Sequence, residues 1–262
     1  MRRRLAVTVA VLASLTLVAT GCTTKPGSLT PSASAKPATQ ILTEAVAKTK
    51  GQSFTYTLTY GTQVTADGAQ DVAAGNGSRN VTFSDPASGL VLKANLLLVG
   101  GSLYAKVDLG AASALVPGLA GVGQNYLTLD MKKISTAGLT AGLLPTAETI
   151  TPDSYLGGVV TAESVSPTQI KGTTDLSKSA PKMIPATSLA KLDATARVVP
   201  FVVTLDDQGR ITKVVLTLPK IEALPAADLT VNYGAYGSKV EIAAPATANT
   251  VPAPDLVYTF LP

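Results

Sequence analysis

The sequence contains no histidine and no tryptophan, and its 262 residues include one cysteine. Without histidine, neither a Ser-His-Asp nor a Cys-His nucleophilic arrangement can be assembled, and zinc sites built on imidazole are excluded. A single cysteine rules out cysteine-cluster metal sites and any disulfide within the chain, so stability has to come from an apolar core. Aromatic residues make up only 5% of the chain. That is few for a carbohydrate-stacking platform, leaving Tyr104, Tyr126, Tyr155, Tyr233 and Tyr236 as isolated candidates. A phosphate-cradling loop is missing too, because GVGQ at 121–124 lacks the Gly-Lys-Ser/Thr ending such loops require.

Carboxylates are the remaining acid-base material. The best pair, Asp206 and Asp207, lies in LDDQGR between two apolar alternating runs. Asp and Gly are the residues a turn selects there, and the spaced ligands of a calcium loop are absent. The chemistry therefore points away from an enzyme, and no cofactor or metal is expected.

Charge of one sign is nearly missing once the start of the chain is set aside. Three of the 21 basic residues are Arg2, Arg3 and Arg4, leaving 18 against 17 acidic residues. A near-neutral chain without basic-aromatic clusters gives no support for nucleic-acid binding. The three arginines lead into LAVTVAVLASLTLVAT, an uncharged run shorter than the roughly 20 residues a bilayer span needs. Basic start, short apolar run and small residues ahead of Cys22 are the parts of a secretory signal, expected over 1–21. A secreted protein with a free Cys22 is the competing reading.

Residues 22–40 continue as CTTKPGSLTPSASAKPATQ, without apolar periodicity, and read as a disordered tether. The eighteen that follow Cys22 span roughly 20 to 25 Å. A single α+β domain is expected over 41–262. It opens with QILTEAVAKTKG, where Ile41, Leu42, Ala45, Val46 and Thr49 share a helical face and Gly51 can end the helix.

Strands come next. Phe54, Tyr56, Leu58 and Tyr60 alternate with threonines, and the same period recurs in NVTFSD at 80–85. Across the glycine pair 100–101, Leu90, Leu92, Ala94, Leu96 and Leu98 answer Leu103, Ala105, Val107 and Leu109. A helix is expected to begin at TPDSYLGGVVTAESV, with Thr151 as its cap and Pro152 in its first turn. TQIKGTTDLS reads as a strand, and KSAPKMIPATSLAKLDA as turn plus short helix. Two strands then flank the DDQG turn, with Phe201, Val203 and Leu205 facing Val214, Leu216 and Leu218, followed by DLTVNYGAYG and SKVEIAAP. The expected architecture is a large antiparallel sheet with helices on one face.

Apolar stretches broken by Gly and Pro occupy 111–124 and 135–147. They read either as irregular loop on the sheet or as a lid carrying Val116, Leu119, Val122, Leu139, Leu143 and Leu144.

The order of these parts, ATGC at 19–22, the Thr/Pro/Ser tether, ILTEAVAKTKGQSFTYTL, GGSLYAKV, SPTQIKGTTDLS and VPFVVTLDDQGRITKVVLTLP, resembles the actinobacterial lipoproteins of the mycobacterial cell envelope that carry acylated lipids and lipoglycans. Their fold is similar to that of the periplasmic lipoprotein carriers. The resemblance implies acylation of Cys22 and anchoring at the extracytoplasmic face of the cell membrane. It also implies a half-open antiparallel barrel with helices on its concave face, a diacyl or triacyl lipid or glycolipid as ligand, and an envelope transporter as partner. Face assignment then nominates Phe54, Tyr56, Leu58, Leu92, Leu96, Leu103, Val107, Phe201, Val203, Leu216 and Leu218 as cavity lining. Two other classes stay open at this point: a lipid-anchored sensor or interaction module whose barrel is filled by its own side chains, and an enzyme of unfamiliar type.

Overall fold

The computed structural model describes residues 36–85, 87–108, 110, 123–134, 142, 144–179, 184, 186–222 and 224–259. Cys22, most of the tether, and Val116, Leu119, Val122, Leu139 and Leu143 lie outside the described residues.

Helix α1 runs over Ala38–Thr49, reaching back into the stretch expected to be tether. Its buried face is Leu42, Ala45 and Thr49, the i, i+3, i+7 positions of one stripe. An ion pair from Lys36 to Glu44 at 2.8 Å spans its first turns. The helix stops where Lys50 turns extended and Gly51 takes φ +77°, a conformation that favours glycine.

Twelve strands are present among the described residues: β1 Phe54–Tyr60, β2 Val64–Asp71, β3 Asn76–Asp85, β4 Leu90–Val99, β5 Ser102–Asp108, β6 Tyr126–Leu129, β7 Val159–Ser166, β8 Gln169–Asp175, β9 Val198–Leu205, β10 Ile211–Leu218, β11 Ala227–Gly234 and β12 Thr250–Pro252. They form one large mixed, unclosed sheet in the order β12-β6-β5-β4-β3-β2-β1-β11-β10-β9-β8-β7. Every ladder is antiparallel except β12 on β6, which is parallel and corrects the all-antiparallel expectation. The β4–β5 hairpin turns through Gly100 and Gly101 at φ +57° and +79°, the pair of left-handed residues a type I′ turn requires.

Strand β2 occupies VTADGAQD, a stretch whose apolar period is incomplete. Two further expectations are corrected. The helix beginning at Pro152 ends at Leu156, and Gly157-Gly158 hand the chain to β7, so VVTAESVS is strand. SKVEIAAP carries no strand at all.

Register places one apolar row across nine strands: Ile170, Val203, Val214, Val231, Leu58, Ala66, Val81, Ala94 and Val107. The opposite face carries polar rows, such as Asn232, Thr57, Asp67, Asn80 and Asn95, joined by side-chain hydrogen bonds from Asn232 to Thr57, Asn80 to Asp67 and Asn95 to Asn80. The apolar face does not have one uniform covering. Over β8–β11 and on through β1–β3, it belongs to a buried cluster shared with Leu42 and Ala45 of α1, Tyr155, Leu156, Leu176, Ile184 and Leu189. Toward β4–β6, a second cluster holds Leu96, Leu103, Ala105, Leu129, Ile134 and Leu144.

Candidate functional site

Over β1 to β6 the apolar face is incompletely filled, within both clusters. A cavity of about 130 Å³ is lined by β1 to β3 through Leu58, Tyr60, Val64, Ala66, Arg79, Val81 and Phe83, with Leu218, Leu224, Ile184 and Gly142 completing it. A second, of about 290 Å³, is lined by Leu92, Ala94 and Leu96 of β4, Leu103, Ala105 and Val107 of β5, and Leu127 and Leu129 of β6, with Ile134, Leu144 and Val257. Val81 and Phe83 line both, so the two spaces adjoin along β3. The walls are small where the rows run through them: Ala66, Ala94 and Ala105 stand at inward positions where larger residues would fill the space.

The eleven nominated lining residues divide between two environments. Leu58, Leu218, Leu92, Leu96, Leu103 and Val107 border these cavities. Phe54, Tyr56, Phe201, Val203 and Leu216 face inward as expected but are buried in solid packing and border neither. Phe54 stacks edge-on against Tyr233 at 5.8 Å between ring centres. Of the lid residues, the described one, Leu144, is buried beside Ile134 and lines the larger cavity.

Sequence reasoning missed Arg79. It is 4% exposed and stands in the wall of the smaller cavity. Its Nε donates to Tyr56 Oη at 2.8 Å, one Nη donates to Thr149 Oγ1 at 2.8 Å, and the other donates to the Gly142 carbonyl. The guanidinium also lies over the Tyr56 ring, 5.7 Å from its centre. A signal for it existed: counting down by twos from Phe83 and Val81 puts residue 79 on the inward face.

Around Arg79 a small polar strip serves the buried chain crossing the sheet. Tyr233 Oη donates to the Ile150 carbonyl at 2.8 Å, and Tyr155 Oη to the Thr149 carbonyl at 3.3 Å. Thr149 Oγ1 donates toward the carbonyls of Leu144 and Thr146. A buried irregular segment must find such partners for its backbone. Burial raises the phenol pKa of Tyr56, Tyr155 and Tyr233 above its ordinary value, because the charged form loses solvation, so all three remain donors.

The Asp206-Asp207 pair is a turn. Asp206 accepts from the backbone N–H groups of Gln208 and Arg210 and from Arg210 Nε, at 3.0, 2.8 and 2.8 Å. Among the described residues, no group of three or more acidic or cysteine side chains is placed to hold a metal. No family model matches this sequence, and no curated protein matches it significantly.

Proposed function

We propose that this protein is a lipoprotein, anchored through Cys22 at the extracytoplasmic face of the membrane, that binds acyl chains in the cavity of its sheet and carries them across the cell envelope. The observation that carries the reading is the pair of adjoining apolar cavities over β1 to β6, beside a β8–β11 face that is buried and borders them only at Leu218. Empty apolar space costs stability, about 24 cal/mol for each Å³ where the surroundings do not relax into it. Space on the scale of 290 Å³ is therefore better explained by an occupant than by loose packing. Burying each methylene of that occupant gains about 0.8 kcal/mol.

In this reading the unclosed sheet is a half-open barrel whose concave face receives the helices and the ligand. Its work is binding without catalysis. The tether lets the domain reach beyond the headgroups while Cys22 stays in the bilayer. The partners are then a diacyl or triacyl lipid or glycolipid and an envelope transporter. The dense packing of Phe201, Val203 and Leu216 favours one alternative, a filled interaction module that takes no ligand.

Native mass spectrometry followed by solvent extraction separates the two. The mature chain from residue 22 onward is produced in an actinobacterial host and then exposed to phospholipid and glycolipid. The carrier reading expects a bound acylated species near one-to-one occupancy. A clean apo mass before and after exposure would leave the filled module standing.

A further inference from the structure

We infer that Arg79 is an anion subsite inside the cavity, and that the occupant is an amphiphile whose carboxylate or phosphate pairs with it. The inference rests on the lipid-binding reading and narrows it from acyl chains in general to acidic ones.

A guanidinium has five N–H donors and carries its charge at any physiological pH. The acceptors that Arg79 meets are a phenol oxygen, a threonine hydroxyl and a backbone carbonyl, none of them ionised. Among the described residues, no carboxylate lies within ion-pair distance of it. A cation this buried and without a counter-charge is among the costlier arrangements a fold can hold. If its role were only to satisfy nearby oxygens, a neutral side chain would do so without that cost.

The surroundings indicate what would balance the charge. Arg79 borders the smaller cavity, whose other walls are almost entirely apolar, and that cavity adjoins the larger one at Val81 and Phe83. An acid group at Arg79 thus has a continuous apolar path for one tail, past Val81 and Phe83 toward Leu92 and Leu96. Tyr56 and Thr149 fix the plane of the guanidinium from two sides. Three of its five N–H groups have protein acceptors, and the two left over match a two-oxygen acceptor such as a carboxylate or phosphate.

Calorimetric titration of the mature chain tests this with three probes of one chain length, palmitate, hexadecyl phosphate and hexadecanol, and with inorganic phosphate alone. The two acids are expected to bind about 10-fold or more tighter than the alcohol, the scale of hydrogen bonds to charged groups. Inorganic phosphate is expected to bind at least 10-fold more weakly than its hexadecyl ester, because it lacks the buried tail. In Arg79→Met the preference for acid over alcohol should collapse to about one, and Arg79→Lys should keep part of it.

Equal binding of acids and alcohol by the unaltered protein overturns the subsite and leaves the carrier reading intact. Binding of inorganic phosphate as tight as that of its ester overturns the amphiphile and leaves a free-anion site. No binding of any chain overturns the subsite and the carrier together. These comparisons use the unaltered chain, so they decide the question even if an Arg79 variant fails to fold.

Discussion

Tyr56 and Arg79 stand two strands apart and meet above Gly68. The three residues are register partners in sequence, Tyr56 to Gly68 and Gly68 to Arg79, and the phenol crosses the glycine to accept from Arg79 Nε at 2.8 Å. A Cβ at position 68 would lie 2.1 Å from the Ser78 carbonyl oxygen and 2.7 Å from Tyr56 Oη. Glycine in mid-strand ordinarily weakens a sheet; here it is the opening through which an inward polar contact is made. Gly68→Ala should therefore destabilise the fold by about 1–3 kcal/mol through overpacking. Urea denaturation measures it, and stability equal to the unaltered protein would show that the close approach is dispensable.

The packed and hollow halves of the sheet should answer differently to truncation. Leu216 is fully buried, whereas Leu92 is only partly buried at the larger cavity. Leu216→Ala should cost about 2–5 kcal/mol and Leu92→Ala clearly less, because a side chain bordering open space loses fewer contacts. Matched chemical denaturation of the two variants reads the difference. Equal costs would mean that both halves are packed alike.

Filling the cavity should separate binding from folding. Ala94 lies mid-row on β4 and lines the larger cavity. Ala94→Phe places a ring in the space proposed for the ligand, so acyl-chain uptake should fall about 10-fold or more while stability changes by less than about 1.5 kcal/mol. Binding by native mass spectrometry and a thermal melt are run on the same sample. Undiminished uptake would move the ligand elsewhere on the molecule.

Asp206 supplies a pH-dependent test of the β9–β10 turn. Burial by itself would raise its carboxyl pKa, but the backbone N–H and guanidinium of Arg210 and the Gln208 N–H outweigh that and hold it below the usual carboxylate value. A lowered folded-state pKa contributes stability above the unfolded value of about 4 and loses it as pH falls through the folded value. Asp206→Asn should cost about 1 kcal/mol at pH 7, given its partial exposure. The gap between variant and parent should close progressively below pH about 4. A gap independent of pH would assign the effect to geometry rather than charge.

Strong alternation made several strands legible in the sequence. FTYTLTY reads inward and outward by turns, and the structure buries Phe54, Tyr56, Leu58 and Tyr60 in that order. Four strands escaped, β2, β6, β7 and β12, two of them for opposite physical reasons. The inward positions of β2 pass from Val64 and Ala66 to Gly68 and Gln70, so the apolar period fades halfway along the strand. At the sheet's end β7 buries almost nothing and therefore has no period to show. Face assignment could place Leu216 and Leu92 on the same side of the sheet, but not tell packed wall from open wall. That depends on what lies opposite, and short helices such as Pro152–Leu156 and Ala186–Ala190 leave too few turns for a clear pattern.

An unclosed sheet exposes two borders, and this chain blunts both. At one border the short β12 ends in Pro252, which has no N–H to offer a newcomer. At the other, the pairing of β7 with β8 slips between Val159 and Thr161 and again between Ser164 and Ser166, while Glu163 and Lys171 place opposite charges 3.4 Å apart. Neither border presents the long, flat, uninterrupted template that edge-to-edge aggregation needs. The hollow that could admit a ligand is thus set in a sheet that gives fibrillar growth no easy starting point, even where many copies crowd together.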